Sequence, residues 1–163
     1  MIYQVEGDIL LSKAQVLVHG VSVNDPMDKG LALALHQRYP AMHKDYHHWC
    51  HQHHPKSGDA WFWGGVDGVR IVSLITREGI DSHDHRLGKA SVSNVSHCLK
   101  ALVKMIETEK FSSIALPKLG TGLGGLDWQE VWPIIERSLG DLDIPVYVYS
   151  VYHSGKQAVE SGA

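Results

Sequence analysis

Ile114-Ala115-Leu116-Pro117-Lys118-Leu119-Gly120-Thr121-Gly122-Leu123-Gly124-Gly125-Leu126-Asp127-Trp128-Gln129-Glu130 is the stretch on which the reading of this chain turns. It begins as a short apolar run, the pattern of a parallel strand buried on both faces. Four glycines between positions 120 and 125 allow a tight turn and let the backbone approach a ligand with no Cβ in the way. Asp127 followed by Glu130 resembles a capping box, with Asp in place of Ser or Thr, and predicts a helix start. Exposed amides ahead of a helix start attract anions, phosphates above all. A glycine-rich loop is also an ordinary tight connection, so its neighbours have to decide.

Working outward, residues 90–110 form an amphipathic helix pattern, with Val95, Leu99, Leu102, Val103 and Ile106 on one face. Downstream, a helix over 127–139 carries Pro133 in its second turn and Gly140 as its stop, and a strand over 146–152 follows. Upstream, residues 1–6 and 15–20 read as strands, and 21–30 as a loop. Leu31, Leu35, Tyr39, Met42, Tyr46 and Trp49 recur at helical spacing, and Pro40 predicts a kink or a break into two helices. Two strands, 60–63 and 69–76, flank a hairpin turn at 64–68. Strands alternating with helices predict an α/β sheet covered on both faces. Ligands in such folds sit beyond the carboxyl ends of the strands. Three loops qualify by position: 20–30, 76–89 and 120–125.

The 163 residues suit one domain over 1–153, with a small polar tail, 154–163, expected to fray. Apolar residues make up 44% and charged residues 20%, as in ordinary soluble proteins. A net charge of -3 leaves no basic footprint for non-specific nucleic-acid binding. Cys50 and Cys98, without paired spacing, fit a reducing compartment. No secretory pattern opens the chain, and no run approaches the ~18 apolar residues of a membrane span. A cytoplasmic protein without membrane contact is expected.

The motifs together resemble the macrodomain family. Gly7-Asp8-Ile9 after the first strand resembles its opening. So does Val16-Leu17-Val18-His19-Gly20-Val21-Ser22 leading to Met27-Asp28-Lys29-Gly30-Leu31-Ala32. The stretch 116–128 is the most specific match, and the resemblance runs in order from about residue 2 to 150. Arg38-Tyr39-Pro40 and Lys44-Asp45-Tyr46 fit the branch of the terminal ADP-ribose protein glycohydrolase and the DNA ADP-ribosyl glycohydrolase antitoxins. The ADP-ribose 1''-phosphate phosphatase is also similar. The resemblance implies a three-layer α/β/α fold with a central mixed sheet of about six strands and a cleft for ADP-ribose or an ADP-ribosylated substrate. It implies nucleic acid as a partner only where that is ADP-ribosylated, and no cofactor. By the same resemblance, Asp8 accepts a hydrogen bond from the adenine amino group, and Ile9 and Tyr149 lie against the ring. Gly120, Thr121, Gly122, Leu123 and Gly124 wrap the pyrophosphate and distal ribose. Met27, Lys29, Gly30 and Leu31 face them across the cleft, with Thr76 at its end.

The catalytic positions depart from that pattern. The glycohydrolase branch has a lysine after its fourth strand, where this chain has Arg77, and an acid in its glycine-rich loop, where this chain has Gly124. Arginine does not usefully deprotonate and is a poor nucleophile. Ser22, Lys29 and Arg77 stand as catalytic candidates, with Asn24, Asp28 and the 77–89 loop (Glu78, Asp81, His83, Asp84, His85) as further sources of acid–base groups. His19 reads as a buried, hydrogen-bonded histidine. His43, His47 and His51 recur at i, i+4, i+8 on one helix face, a spacing compatible with metal. No second element supplies matching ligands, so a solvated helix end and no metal site are expected. A reader that binds ADP-ribose without turnover is the alternative to a hydrolase. The departures at Arg77 and Gly124 favour the reader; the expectation of a stand-alone domain favours the enzyme.

Overall fold

Alternation by two along the strands sorts the core into two layers, one on each face of a single sheet. The computed structural model describes residues 1–79 and 88–162. The strands are β1 (Ile2–Gly7), β2 (Val16–Ser22), β3 (Ala60–Gly64), β4 (Arg70–Arg77), β5 (Ile114–Pro117) and β6 (Val146–Tyr152). The helices are α1 (Gly30–Arg38), α2 (Pro40–His53), α3 (Val92–Glu109) and α4 (Trp128–Leu139). The sheet order is β1-β6-β5-β2-β4-β3. Every pairing is parallel except the β3–β4 hairpin at the edge. The three-layer mixed sheet expected from the sequence is the observed fold.

Val16, Val18, Val72, Leu74, Ile114, Leu116, Val146 and Val148 face α3 and α4 in one cluster. The residues between them in sequence face the other way. Val21, Ile71 and Ile75 pack on α1 and α2, while Ala115, Tyr147 and Tyr149 pack with Val5, Ile9 and Ala158. α3 buries Val95, Cys98, Leu99, Leu102 and Ile106, an i, i+3/i+4 stripe. Pro40 breaks the predicted helix by starting α2 at its first turn, where its missing N–H costs nothing. Among the described residues, no helix is long and apolar enough to cross a membrane.

β2 pairs with β5 only at Val16 and Leu17, then runs on beside β4 alone. The chain leaves β2 toward α1 on one face and leaves β5 toward α4 on the other. That divergence is a topological switch point and opens a gap beyond the strand ends.

Three local expectations are corrected. Asp127 precedes α4 without any side-chain capping bond; only its carbonyl accepts, from the Glu130 and Val131 amides. The tail packs on the domain: the Glu160 carboxylate accepts from Ser12 Oγ at 2.6 Å, the Lys13 amide at 2.9 Å and Tyr149 Oη at 2.8 Å. Tyr147 Oη also donates to the Ser161 carbonyl at 2.6 Å. The histidines pair differently from the predicted stripe. His43 stacks between His36 of α1 and His47, with ring centroids 3.8 and 4.3 Å away. His36 Nδ1 and His47 Nε2 are hydrogen-bonded to the Met27 and Asp25 carbonyls at 3.2 and 2.8 Å. Among the described residues, no group of three His, Cys, Asp or Glu is arranged to hold a metal. Asp81, His83, Asp84 and His85 lie outside the described residues.

Candidate functional site

The gap between β2 and β5 widens into a trough with two adjoining compartments. The larger, about 430 Å³, is mostly apolar and is lined by Ile9, Leu10, Gly30, Leu31, Ala34, Pro117, Tyr149 and Tyr152. The smaller, about 210 Å³, is bounded by His19 and Gly20 of β2, Lys29 to Ala32 at the start of α1, Thr76 and Arg77, and the loop after β5. Both include Gly30, Leu31 and Pro117, so they adjoin across these three residues. A further cavity of about 210 Å³ lies at the opposite end of β2 and β4, by Arg38 and Arg70, away from the strand carboxyl ends.

The glycine-rich loop folds as its composition demands. Gly120, Gly122 and Gly125 have φ of +74°, +63° and +77°, a region that side-chain-bearing residues seldom enter. Thr121 Oγ1 donates to the Lys118 carbonyl at 2.7 Å and pins the turn. The Gly124, Gly125 and Leu126 amides bond within the loop, whereas those of Gly122 and Leu123 reach no backbone carbonyl among the described residues. Free amides in a left-handed glycine turn are donors for an anion.

At the apolar end, Asp8 is buried and holds two amides: Oδ1 accepts from Leu10 at 3.0 Å and Oδ2 from Gly155 at 2.9 Å. These bonds fix Ile9 at the rim. The Tyr149 hydroxyl is held by Glu160, and burial followed by that bond pushes its pKa above the ordinary tyrosine value.

At the polar end, the Arg77 guanidinium is 7% exposed and lies 2.7 Å from the carboxylate of Asp25, itself 5% exposed. Asp25 also accepts from the Ser22 amide at 2.9 Å and the Met27 amide at 2.7 Å. A buried cation is thereby neutralised and fixed. Opposite Arg77, a Cβ on Gly124 would come within 2.9 Å of Ala90 Cβ and 3.9 Å of Arg77 Cδ. The loop is seated too close to Ala90 to carry an acid without shifting. His19 is 1% exposed, with Nε2 at 2.7 Å from Ser73 Oγ. Burial drives its pKa down to about 4, opposed by Asp25 and reinforced by Arg77, so the ring is neutral at neutral pH.

Of the residues expected at the site, Ile9, Lys29, Gly30, Leu31, Thr76, Arg77, Gly120, Thr121, Leu123, Gly124 and Tyr149 line the trough. Asp8 stands behind Ile9 as a cap, and Gly122 offers its amide from the loop. Ser22 and Met27 are buried and line neither compartment: the Ser22 carbonyl accepts from Tyr46, and Met27 packs against α1 and α2. Asp25 is the residue that sequence reasoning overlooked. Its only local signal is the Asp-Pro step, which favours a side-chain-to-amide turn. Its partner Arg77 lies 52 positions away.

Comparison with known proteins agrees with this architecture. A DNA ADP-ribosyl glycohydrolase of Mycobacterium tuberculosis is 30% identical over 98% of this chain and 45% of its own length. The ADP-ribose glycohydrolase OARD1 of Bos taurus is 29% identical over 90% of both chains. The solved structure of Thermosipho africanus DarTG in complex with ADP-ribose superposes with a TM-score of 0.81 at 25% identity, covering 96% of this chain and 42% of that one. The chain spans less than half the length of the DNA ADP-ribosyl glycohydrolases it matches. The family model described as Macro domain matches residues 18–135. The trough at the switch point, the loop that flanks it and this match over most of the chain agree: the protein belongs to the Macro domain family.

Proposed function

We propose that the chain binds ADP-ribose along the trough and hydrolyses the bond between an ADP-ribosyl group and its acceptor. The observation that carries this reading is the adjacency of an apolar compartment to an amide-lined one across Gly30, Leu31 and Pro117. A ligand with a flat, weakly polar ring at one end, a diphosphate in the middle and a sugar beyond fits that gradient. Adenine lies between Ile9 and Tyr149, and the Asp8 carboxylate beside them accepts its amino group. The pyrophosphate takes the free Gly122 and Leu123 amides and the start of α1, where the helix dipole favours an anion. The terminal ribose reaches Thr76, Arg77 and Lys29. The printed names of the relatives support a hydrolase, and those of the DNA ADP-ribosyl glycohydrolases favour a nucleic-acid acceptor. The free, buried cysteines, Cys50 and Cys98, support a cytoplasmic setting.

In the hydrolysis, the bond from the anomeric carbon to the acceptor breaks. Water supplies the new oxygen on the carbon, and its proton goes to the acceptor. Arg77 is bonded to Asp25 and is no nucleophile, which supports attack by water rather than by this side chain. Fixed charge and free amides stabilise the polarised bond. Lys29, exposed at the α1 start and lining the polar compartment, is the cation proposed to hand a proton to the leaving acceptor. Calorimetry with ADP-ribose tests the binding claim, and absence of heat at high micromolar ligand would overturn it. Turnover is tested on ADP-ribosylated DNA, mono-ADP-ribosylated protein, O-acetyl-ADP-ribose and ADP-ribose 1''-phosphate, with release from DNA expected. The tied Arg77 and the steric closure at Gly124 favour a second reading, a non-catalytic ADP-ribose binder. Binding with all four substrates left intact would establish it.

A further inference from the structure

His19 lines the sugar end of the trough beside Gly20, Thr76 and Arg77. Its Nδ1 is buried and has no hydrogen-bond partner among the described residues. Buried polar atoms without partners are uncommon in folded proteins and call for an explanation. The other ring nitrogen, Nε2, lies 2.7 Å from Ser73 Oγ, and Ser73 is fully buried in β4.

Counting hydrogens settles which nitrogen carries the proton. With the proton on Nε2, that group donates to Ser73 Oγ. The serine hydrogen then has no acceptor among the described residues, and the Nδ1 lone pair has no donor. With the proton on Nδ1, the serine hydroxyl donates to Nε2 and both are satisfied, which leaves one open group, the Nδ1–H. The second arrangement leaves fewer orphans.

Charge then decides what meets that open donor. The Arg77 guanidinium, the buried cation at this end of the trough, is already balanced by Asp25, while Lys29 and Lys118 line the compartment from exposed positions. The free amides that suit phosphate belong to Gly122 and Leu123, in the loop after β5. The depressed pKa of His19 keeps its ring uncharged at neutral pH. A neutral N–H in a charge-balanced corner matches a neutral oxygen acceptor, a sugar hydroxyl or ring oxygen.

Building on the ADP-ribose reading, we infer that His19 is a specificity-determining residue whose Nδ1–H, set by Ser73, donates to the terminal ribose and so favours ADP-ribose over ADP. The test is nitrogen-15 imidazole NMR on the full chain, with the His19 signals assigned by their loss in His19→Phe. The free protein should show Nδ1 protonated and Nε2 bare. Adding ADP-ribose should shift the Nδ1–H signal, and adding ADP, which has no terminal ribose, should not. Calorimetry runs in parallel: His19→Phe should weaken ADP-ribose binding about tenfold, the loss of one hydrogen bond, and leave ADP affinity within about twofold. Ser73→Ala, which releases the tautomer, should weaken ADP-ribose binding by a smaller factor.

A bare Nδ1 in the wild-type spectrum overturns the inference, and so do equal shifts with ADP and ADP-ribose. ADP-ribose heat without any change at His19 overturns this inference alone. Absence of ADP-ribose heat overturns the binding reading and this inference with it. Where His19→Phe folds poorly, Ser73→Ala identifies the His19 signals by the shift of its Nε2, and the wild-type spectrum then decides the matter.

Discussion

Each end of the trough is organised by a buried aspartate that gathers backbone amides, and the two ends differ in what else holds the carboxylate. Asp8 accepts from Leu10 and Gly155 and forms no ion pair among the described residues; its support comes from dipoles and from the docked tail. Asp25 accepts from Ser22 and Met27 and is neutralised by Arg77 in a closed ion pair. The apolar end is therefore assembled from segments 147 residues apart and is loosened by small changes. The polar end is a tight loop locked by charge and fails abruptly when one charge is removed.

The largest effect expected from that difference is at Arg77. Arg77→Met leaves Asp25 charged and buried without its cation, and should lower stability by about 3–5 kcal/mol in urea unfolding. Asp25→Asn combined with Arg77→Met, which removes both charges and keeps an acceptor for the Ser22 and Met27 amides, should recover part of that loss. A loss below 1 kcal/mol for the single variant would mean that the pair is solvated and the comparison fails.

The next effect is pH dependence at the same end. The folded pKa of His19, about 4, lies below its ordinary 6.5, so the unfolded chain binds more protons between those values. Its contribution to stability is whole above pH 6.5 and is lost as pH falls toward 4, by about 3 kcal/mol. His43 acts with the same sign, its pKa lowered by burial first and then by His36 and His47. Unfolding curves from pH 7 to pH 4 should flatten in His19→Phe; equal slopes in both proteins would contradict the burial of a neutral ring.

Gly124→Asp is expected to lower stability by about 1–3 kcal/mol through the contact with Ala90, and to give no gain in turnover. Ala90→Gly in the same chain should relieve the cost. A gain in turnover from the single variant would show that the loop yields more readily than its packing implies.

The smallest effect is at the other end. Glu160→Ala removes the bonds to Ser12, Lys13 and Tyr149, all partly in contact with solvent, and should lower stability by about 1 kcal/mol. It should weaken adenosine-containing ligands through a freer Tyr149 while leaving the stability of the Arg77–Asp25 loop unchanged. An effect as large as that of Arg77→Met would erase the distinction between the two ends.

What could be read in the sequence follows range. Strand alternation, the Pro40 break and the glycine loop are local signals, and each became the expected element. The loop residues Gly120, Thr121, Leu123 and Gly124 come to one wall of the trough together because they are nearly consecutive. Asp25 escaped because its value comes from Arg77, far along the chain, and a polar loop holding Asn24, Asp25 and Asp28 does not mark which carboxylate turns inward. The tail was misjudged for the same reason: small polar residues signal fraying unless the partners across the fold are known. The histidine spacing along α2 suggested a solvated face, whereas His36 from α1 draws His43 into a stack. At Asp127 a local signal itself misled, since the capping pattern was present and the side-chain bond was not.

The docked tail has a consequence for the time at which the site exists during synthesis. Asp8 leaves the ribosome well ahead of Gly155 and Glu160, which complete its surroundings and hold Tyr149. Contacts of such sequence separation form late in folding. A nascent chain that has already laid down β1 to β5 lacks the strand and the strap that finish the apolar compartment, so nucleotide affinity reports that translation has passed residue 160.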